Sequence, residues 1–367
     1  MGADDIMKWT PIEITERTKR IKEIYQNTPV ALETNPYLDR KYKCNRSGDR
    51  WMTLGFLRGW LKYKGKATTR LRTSYAEAEE LYESKPVIYD HELLLGHLYL
   101  PEYTEEEKVE YDKLCEMYAM SSHTLSMRPP RKDHIGLDFD KLLRLGVEGI
   151  VSEIKENMSC LDLASEGAYP DYEVYKKYEF YECLLTELGA VLDLERRYVD
   201  AAEEMAKTAD EPRRSELLFM AELLKKVPAQ PAETFYEAIQ SVQFFLSNLF
   251  GLYPLARPDR YLYPFYKRDI ERGTLTNEFA QELIDNFCLH ISTRVFSRSA
   301  CGFIVGGQDE NGNLVENELT YMFLTALDHI NMPDPNGALA VNSMTSDDIL
   351  LYCTDNFVKR SYSSGFL

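Results

Sequence analysis

The chain has 367 residues, 44% of them hydrophobic, with 43 Lys and Arg against 60 Asp and Glu, a formal charge of -17 and a pI near 4.9. A chain of this length can bury a large core, and an acidic balance of this size repels a phosphate backbone, which excludes nucleic acid as a partner. The N-terminus lacks a basic or apolar leader, Ile6 stands where a myristoylation signal needs Ser or Thr, and no apolar run could cross a bilayer, so a cytoplasmic protein without membrane contact is expected.

From Ile12 to about Lys226 apolar residues recur three and four apart, the period of helices with one buried face. Thr104 and Glu107 have capping-box spacing and predict a helix over Val109 to Met120. Asp138 predicts an N-cap for a helix carrying Leu142, Leu143, Val147, Ile150, Val151 and Ile154 on one broad face. Tyr172 to Met205 reads as a longer helix broken near Gly189, and Pro212 suits the first turn of the next, which Lys225 and Lys226 close.

Past Pro228 short β-like runs alternate with helices. Thr234 with Glu237 repeats the capping-box spacing ahead of Ile239 to Phe250, and Thr276 opens a helix to about Thr293. Phe303 to Val305 reads as a strand ending in Gly306-Gly307 and a turn through Asp309 to Gly312. Asn317 caps a helix to His329, Ala338 to Val341 is a second strand, and Thr345-Ser346-Asp347 caps a last helix through Val358. Strand, helix, strand, helix is α/β logic. No linker divides the chain, so a single domain over 1–367 is expected, mostly helical to 227 and mixed α/β over 228–367.

Self-contained catalytic motifs are lacking. The seven cysteines are scattered, odd in number and without a C-x-x-C pair, which argues against a disulfide framework or structural zinc. His91 and His97 are six apart, which turns the second roughly 240° away around a helix, whereas metal-binding pairs sit at i and i+4. Gly306-Gly307 lacks the further glycines of a phosphate loop, and there is no Gly-x-Ser-x-Gly elbow. No catalytic residue and no metal ligand is nominated.

Four segments, in order, do resemble the glycyl-radical enzymes, the group of pyruvate formate-lyase, glycerol and propanediol dehydratases, choline lyase and related decarboxylases. Val87-Ile88-Tyr89-Asp90-His91-Glu92-Leu93-Leu94-Leu95-Gly96 is similar to the family's apolar-Asp-x-Glu-Leu-x-x-Gly segment. Asp133-His134-Ile135-Gly136-Leu137-Asp138-Phe139, with Lys141-Leu142-Leu143 and Gly146, resembles the dehydratases' Gly-His-x-x-x-Asp-Tyr-x-Lys-x-Leu-x-x-Gly. Ala256-Arg257-Pro258-Asp259-Arg260-Tyr261-Leu262-Tyr263-Pro264-Phe265-Tyr266 is like Arg-x-Asp-Gln-Tyr-x-Tyr-Pro-x-Tyr, and Ile304-Val305-Gly306-Gly307-Gln308, Gly312 and Glu318-Leu319-Thr320-Tyr321 supply the fourth. The family's Gly-x-Pro-x-x-Asn-Asp segment, Gly-Cys-x-Glu thiyl loop and Arg-Val-x-Gly glycyl loop do not occur in these residues, and neither Cys301 nor Cys353 has the context of the thiyl cysteine.

The resemblance implies an α/β fold, mainly a helical shell around one half of a glycyl-radical-enzyme type α/β barrel, in a single incomplete domain. It implies the substrate-domain portion of a radical C–C, C–O or C–N lyase, dehydratase or decarboxylase acting on a small polar metabolite, with the chain inactive alone. No cofactor would be bound; a radical-SAM activase would install the glycyl radical of the complete enzyme. The remaining expected partners are a small-molecule substrate, the missing C-terminal half or a second polypeptide, and further copies in a homo-oligomer. The alternative is a catalytically inactive scaffold or regulatory paralogue that binds a complete partner.

By the same match His134 is either a contact to a substrate hydroxyl or a helix-entry histidine bonded to backbone. Ala300 and Cys301, in the loop Ser297 to Gly302, would border the pocket and leave room for a bulkier substrate, and Gly251-Leu252 replaces the dehydratases' His-Ser substrate pair. Asp138, Arg257 and Asp259 are assigned structural roles beside the site, the last two as an ion pair fixing a strand from Tyr261 to Tyr266. A half-barrel would leave the Phe303 and Ala338 strands with an uncovered face and edge.

Overall fold

A computed structural model describes residues 9–27, 53–96, 103–122, 136–162, 172–248, 254–294, 302–332, 335–359 and 365–366. After an extended stretch from Trp9, α1 (Glu16–Asn27) is followed by α2 (Leu54–Lys62), α3 (Thr69–Glu83), α4 (Glu105–Ser122), α5 (Phe139–Ser159), α6 (Tyr172–Ala206), α7 (Arg213–Leu224) and α8 (Phe235–Asn248). Two short helices, α9 (Pro258–Tyr261) and α10 (Tyr263–Glu271), lead to α11 (Asn277–Arg294). Then come β1 (Gly302–Gly306), α12 (Glu318–Ile330), β2 (Asn336–Ala340), α13 (Asp347–Lys359) and β3 (Gly365–Phe366). No helix of the described residues is long and apolar enough to cross a membrane.

The predicted starts are found where the chemistry places them. Thr104 and Glu107 close a reciprocal capping box on α4, with Glu107 N–H donating to Thr104 Oγ1 at 3.2 Å and Thr104 N–H to Glu107 at 2.8 Å. Thr234 and Glu237 do the same for α8, and Asn317 with Thr320 for α12. Asp138 accepts the Lys141 N–H at 2.9 Å and caps α5.

Two expectations are corrected and one is refined. The α6 helix runs unbroken through Gly189, where a Cβ would meet nothing, because its flanks bury Leu188, Ala190 and Val191 and tertiary packing outweighs one residue's low propensity. The face predicted for α5 is buried or half-buried from Leu142 to Ile154, with a kink at Gly146, whose φ of 65° is left-handed. There the chain from Pro228 crosses so closely that Val147 and Glu148 donate to the carbonyls of Pro228 and Ala229, both at 2.9 Å. The segment from Tyr261 to Tyr266 is helical rather than a strand: Pro258 and Pro264 each occupy a first-turn position, where the missing N–H costs nothing.

The main core joins α1, α5 and α8 to α12 and the sheet, a second cluster lies between α3, α6 and α7, and a third lies where α2 packs on α3 and α4. From an exposed turn at Asp90 the chain enters this interior over Glu92 to Leu95 without regular structure, so its backbone polar groups need side-chain partners. Asn286 Oδ1 accepts from Leu93 N and Leu94 N, Gln240 both accepts from and donates to Leu95, and Tyr236 Oη donates to Leu93 O. Arg213 donates to the carbonyls of Tyr89 and Glu92.

The sheet is parallel in the order β1-β2-β3, with Ile304 opposite Ala338 and Ala338 opposite Gly365. The two predicted strands therefore share one sheet, although β2 ends at Ala340, before Val341. The other edge of β1 is taken by the chain at 255–256, with Leu255 N donating to Gly302 O at 2.8 Å and Ile304 N to Ala256 O at 2.9 Å.

Candidate functional site

Period-two alternation gives the sheet two unlike faces. Phe303, Val305, Gly337 and Leu339 are buried, and the ring of Phe303 meets Phe323 of α12 edge-on at 5.2 Å. A Cβ at Gly337 would lie 2.2 Å from Leu327 Cδ1, so any larger residue there would displace that side chain. The opposite face presents Gly302, Ile304, Asn336, Ala338 and Ala340, all half-buried and mostly small. The face carrying Phe303 and Leu339 is thus sealed by α12, and the face carrying Ile304 and Ala338 is the candidate pocket wall.

At the C-terminal end of β1 one residue, Gly306, is held from both sides. Asp259, fully buried, accepts the Gly306 N–H at 2.7 Å and the Thr320 hydroxyl at 2.9 Å, while the Arg257 guanidinium donates to the Gly306 carbonyl. The expected ion pair between Arg257 and Asp259 is therefore replaced by separate bonds to backbone, because the helical turn beginning at Pro258 aims the two side chains at opposite ends of the same glycine. Burial pushes the Asp259 carboxyl up to about 6 even though the Gly306 and Thr320 hydrogen bonds and the charge of Arg257 act the other way. Gly306 and Gly307, with φ of 75° and 78°, turn the chain into a small hairpin that Arg260 ties down through Glu310.

Of the sequence-derived site residues, His134, Ala300 and Cys301 lie outside the described residues, as do Gly251-Leu252 and His97. Asp138 caps α5, and the adjoining Phe139 tilts against Tyr261 at 5.3 Å, so the second and third family-like segments touch. Arg257 and Asp259 bring the third onto the fourth. Among the described residues no group of three or more His, Cys, Asp or Glu could hold a metal ion. The polar residues that seat the first segment, Gln240 and Asn286, were missed; each lies on a helix that buries several other polar side chains, so neither stands out in the sequence.

The fold and the segments together find their counterpart among known proteins. A family model described as "Pyruvate formate lyase-like" matches residues 62–364. An isethionate sulfite-lyase of Bilophila wadsworthia is 31% identical over 252 residues, 62% of this chain and 29% of that protein. A trans-4-hydroxy-L-proline dehydratase of Clostridioides difficile is 27% identical over 233 residues, 58% of this chain and 29% of the other. The B12-independent glycerol dehydratase of Clostridium butyricum superposes with a TM-score of 0.76 at 22% identity, covering 95% of this chain and 50% of that one. The match thus spans under a third of these curated relatives and half of the solved structure, whose barrel this helical shell and sheet reproduce in part. The chain belongs to the pyruvate formate lyase-like family of glycyl-radical enzymes, of which it matches the N-terminal half.

Proposed function

We propose that this chain forms the substrate-side wall of a glycyl-radical lyase, dehydratase or decarboxylase acting on a small polar metabolite, with the thiyl and glycyl residues supplied by polypeptide outside these 367 residues, in the same or a second chain. The reading is supported by the sheet, whose outer face is sealed by α12 while its inner face offers a half-buried wall of small side chains from Gly302 to Ala340. Radical chemistry needs a reaction space closed to water, and a barrel interior supplies one. Relatives named for isethionate and trans-4-hydroxy-L-proline point to a small hydroxylated substrate. The radical, installed by a radical-SAM activase, supplies hydrogen-atom abstraction. The residues of this chain bind, orient and exclude water: His134 meets a substrate hydroxyl, and Ala300 and Cys301 leave room beside it.

The test combines this chain with a family segment carrying the Gly-Cys-x-Glu and Arg-Val-x-Gly loops, activated anaerobically. A glycyl doublet in electron paramagnetic resonance and turnover of small hydroxylated or sulfonated substrates are expected. Ala338→Trp should abolish turnover while sparing the radical signal and the circular dichroism spectrum. A stable radical without turnover on any such substrate would favour an inactive scaffold instead.

A further inference from the structure

The stretch from Trp9 to Thr15 lies against α12 and α11 as a strap. Trp9 stacks on Tyr321 at 5.5 Å, and Thr15 donates to Glu282 at 2.6 Å. Between them, His329 Nε2 lies 3.0 Å from the carbonyl of Ile12, and its Nδ1 lies 2.7 Å from Asp285 Oδ2. Under this clasp is a cleft of about 520 Å3, walled by Pro11 to Ile14 of the strap and by α1, α12 and α13.

Proton counting constrains the clasp. A carbonyl only accepts, so the bond to Ile12 requires hydrogen on Nε2. The bond on the other side then requires hydrogen on Nδ1 with Asp285 ionised, or on Asp285 with Nδ1 accepting. Either arrangement holds one proton more than neutral imidazole facing carboxylate. Remove it, and a lone pair faces an oxygen at one end of the ring. The buried carboxylate, already accepting from Gln281 Nε2 at 2.8 Å, retains the remaining hydrogen because a charge-assisted bond is the stronger, so the bond to Ile12 is the one lost.

We propose that His329 and Asp285 form a proton-dependent latch that pins the strap over the cleft when the extra proton is bound and releases it when the proton leaves. Other charged groups face the pair from each packed element. Lys22 of α1 donates to the His329 carbonyl at 3.1 Å, Lys19 is paired with Glu16, and Glu23 lines the same wall. Glu13 on the strap and Tyr352 on α13 line the same cleft, Thr18 of α1 bonds to Asp285, and the charge of Asp328 on α12 favours the cationic ring. Burial alone would lower the His329 pKa, but the hydrogen bond and charge of Asp285, the Ile12 carbonyl and the charge of Asp328 outweigh it and hold the pKa above the usual histidine range. A raised folded value means that the clasp is complete below the ordinary histidine range and is lost as pH rises through the folded value.

Hydrogen exchange of the amides in 9–15, corrected for intrinsic pH dependence, tests the latch on the whole chain at about pH 6 and pH 9. Roughly tenfold less protection at the higher pH is expected, the scale of one hydrogen bond. Asp285→Asn should keep the strap closed at both values, since its amide donates to Nδ1 and leaves a neutral Nε2–H for Ile12. His329→Leu should leave it open at both, and that variant decides the matter if Asp285→Asn fails to fold. Corrected exchange that is independent of pH in the unaltered chain, or pH dependence that persists in His329→Leu, would overturn the latch.

Discussion

Asn286 and Leu93 meet deep in the core, the side-chain carbonyl of the first accepting the backbone N–H of the second at 2.9 Å. The same oxygen takes the next amide, Leu94, at 3.1 Å, so one side chain serves a segment that has no ladder of its own. Asn286→Leu keeps the branched shape and strands two buried donors. The expected loss is about 2–4 kcal/mol in urea denaturation. A loss under about 1 kcal/mol would show that the segment finds other partners.

The buried Glu195 of α6 predicts a pH dependence of stability. Its Oε2 has no hydrogen-bond partner among the described residues, and burial, reinforced by the charge of Glu148, raises its pKa to about 8. A raised folded value means that stability is full below the ordinary glutamate range and is lost as pH climbs through about 8. Glu195→Gln should flatten that decline, read as the difference in unfolding free energy between about pH 5 and pH 8. An unaltered slope would show that Glu195 is hydrated in the folded state.

Gly146→Ala should be among the costlier single-methyl changes in the chain. The residue has a positive φ, and an added Cβ would lie 2.4 Å from the Ala229 carbonyl, a backbone atom that cannot swing aside. We expect a loss of about 3 kcal/mol or more, with the melting temperature falling accordingly. Gly189→Ala, in open space on α6, should instead stabilise by about 0.5–1 kcal/mol.

Legibility from sequence followed the range of the physics. Helix starts at Asp138, Thr104, Thr234 and Asn317 depend on atoms three residues apart and were readable. The strands at Phe303 and Ala338 were readable because flanking glycines and β-branched residues bound them. The fate of Arg257 and Asp259 was not, because their partners Gly306 and Thr320 are brought up by the fold from far along the chain. The clasp at His329 joins residues 317 apart in sequence and leaves no local trace.

Asp259→Ala tests the grip on the end of β1. It removes the acceptor of the Gly306 N–H and of the Thr320 hydroxyl, and should cost about 2–3 kcal/mol. Exchange of amides in the hairpin at 307–315 should rise more than in α12. Equal acceleration in both would mean that the loss is global.

The order β1-β2-β3 also bears on how the protein is made. One side of β1 is already occupied by residues 255–256, so each later strand joins at the opposite margin, beside the strand translated just before it. Each arrival therefore closes a loop of only one helix, and the entropy of that closure stays small and nearly constant from step to step. A sheet of this connectivity can accrete vectorially as the polypeptide leaves the ribosome, each strand docking on a finished template without waiting for distant sequence.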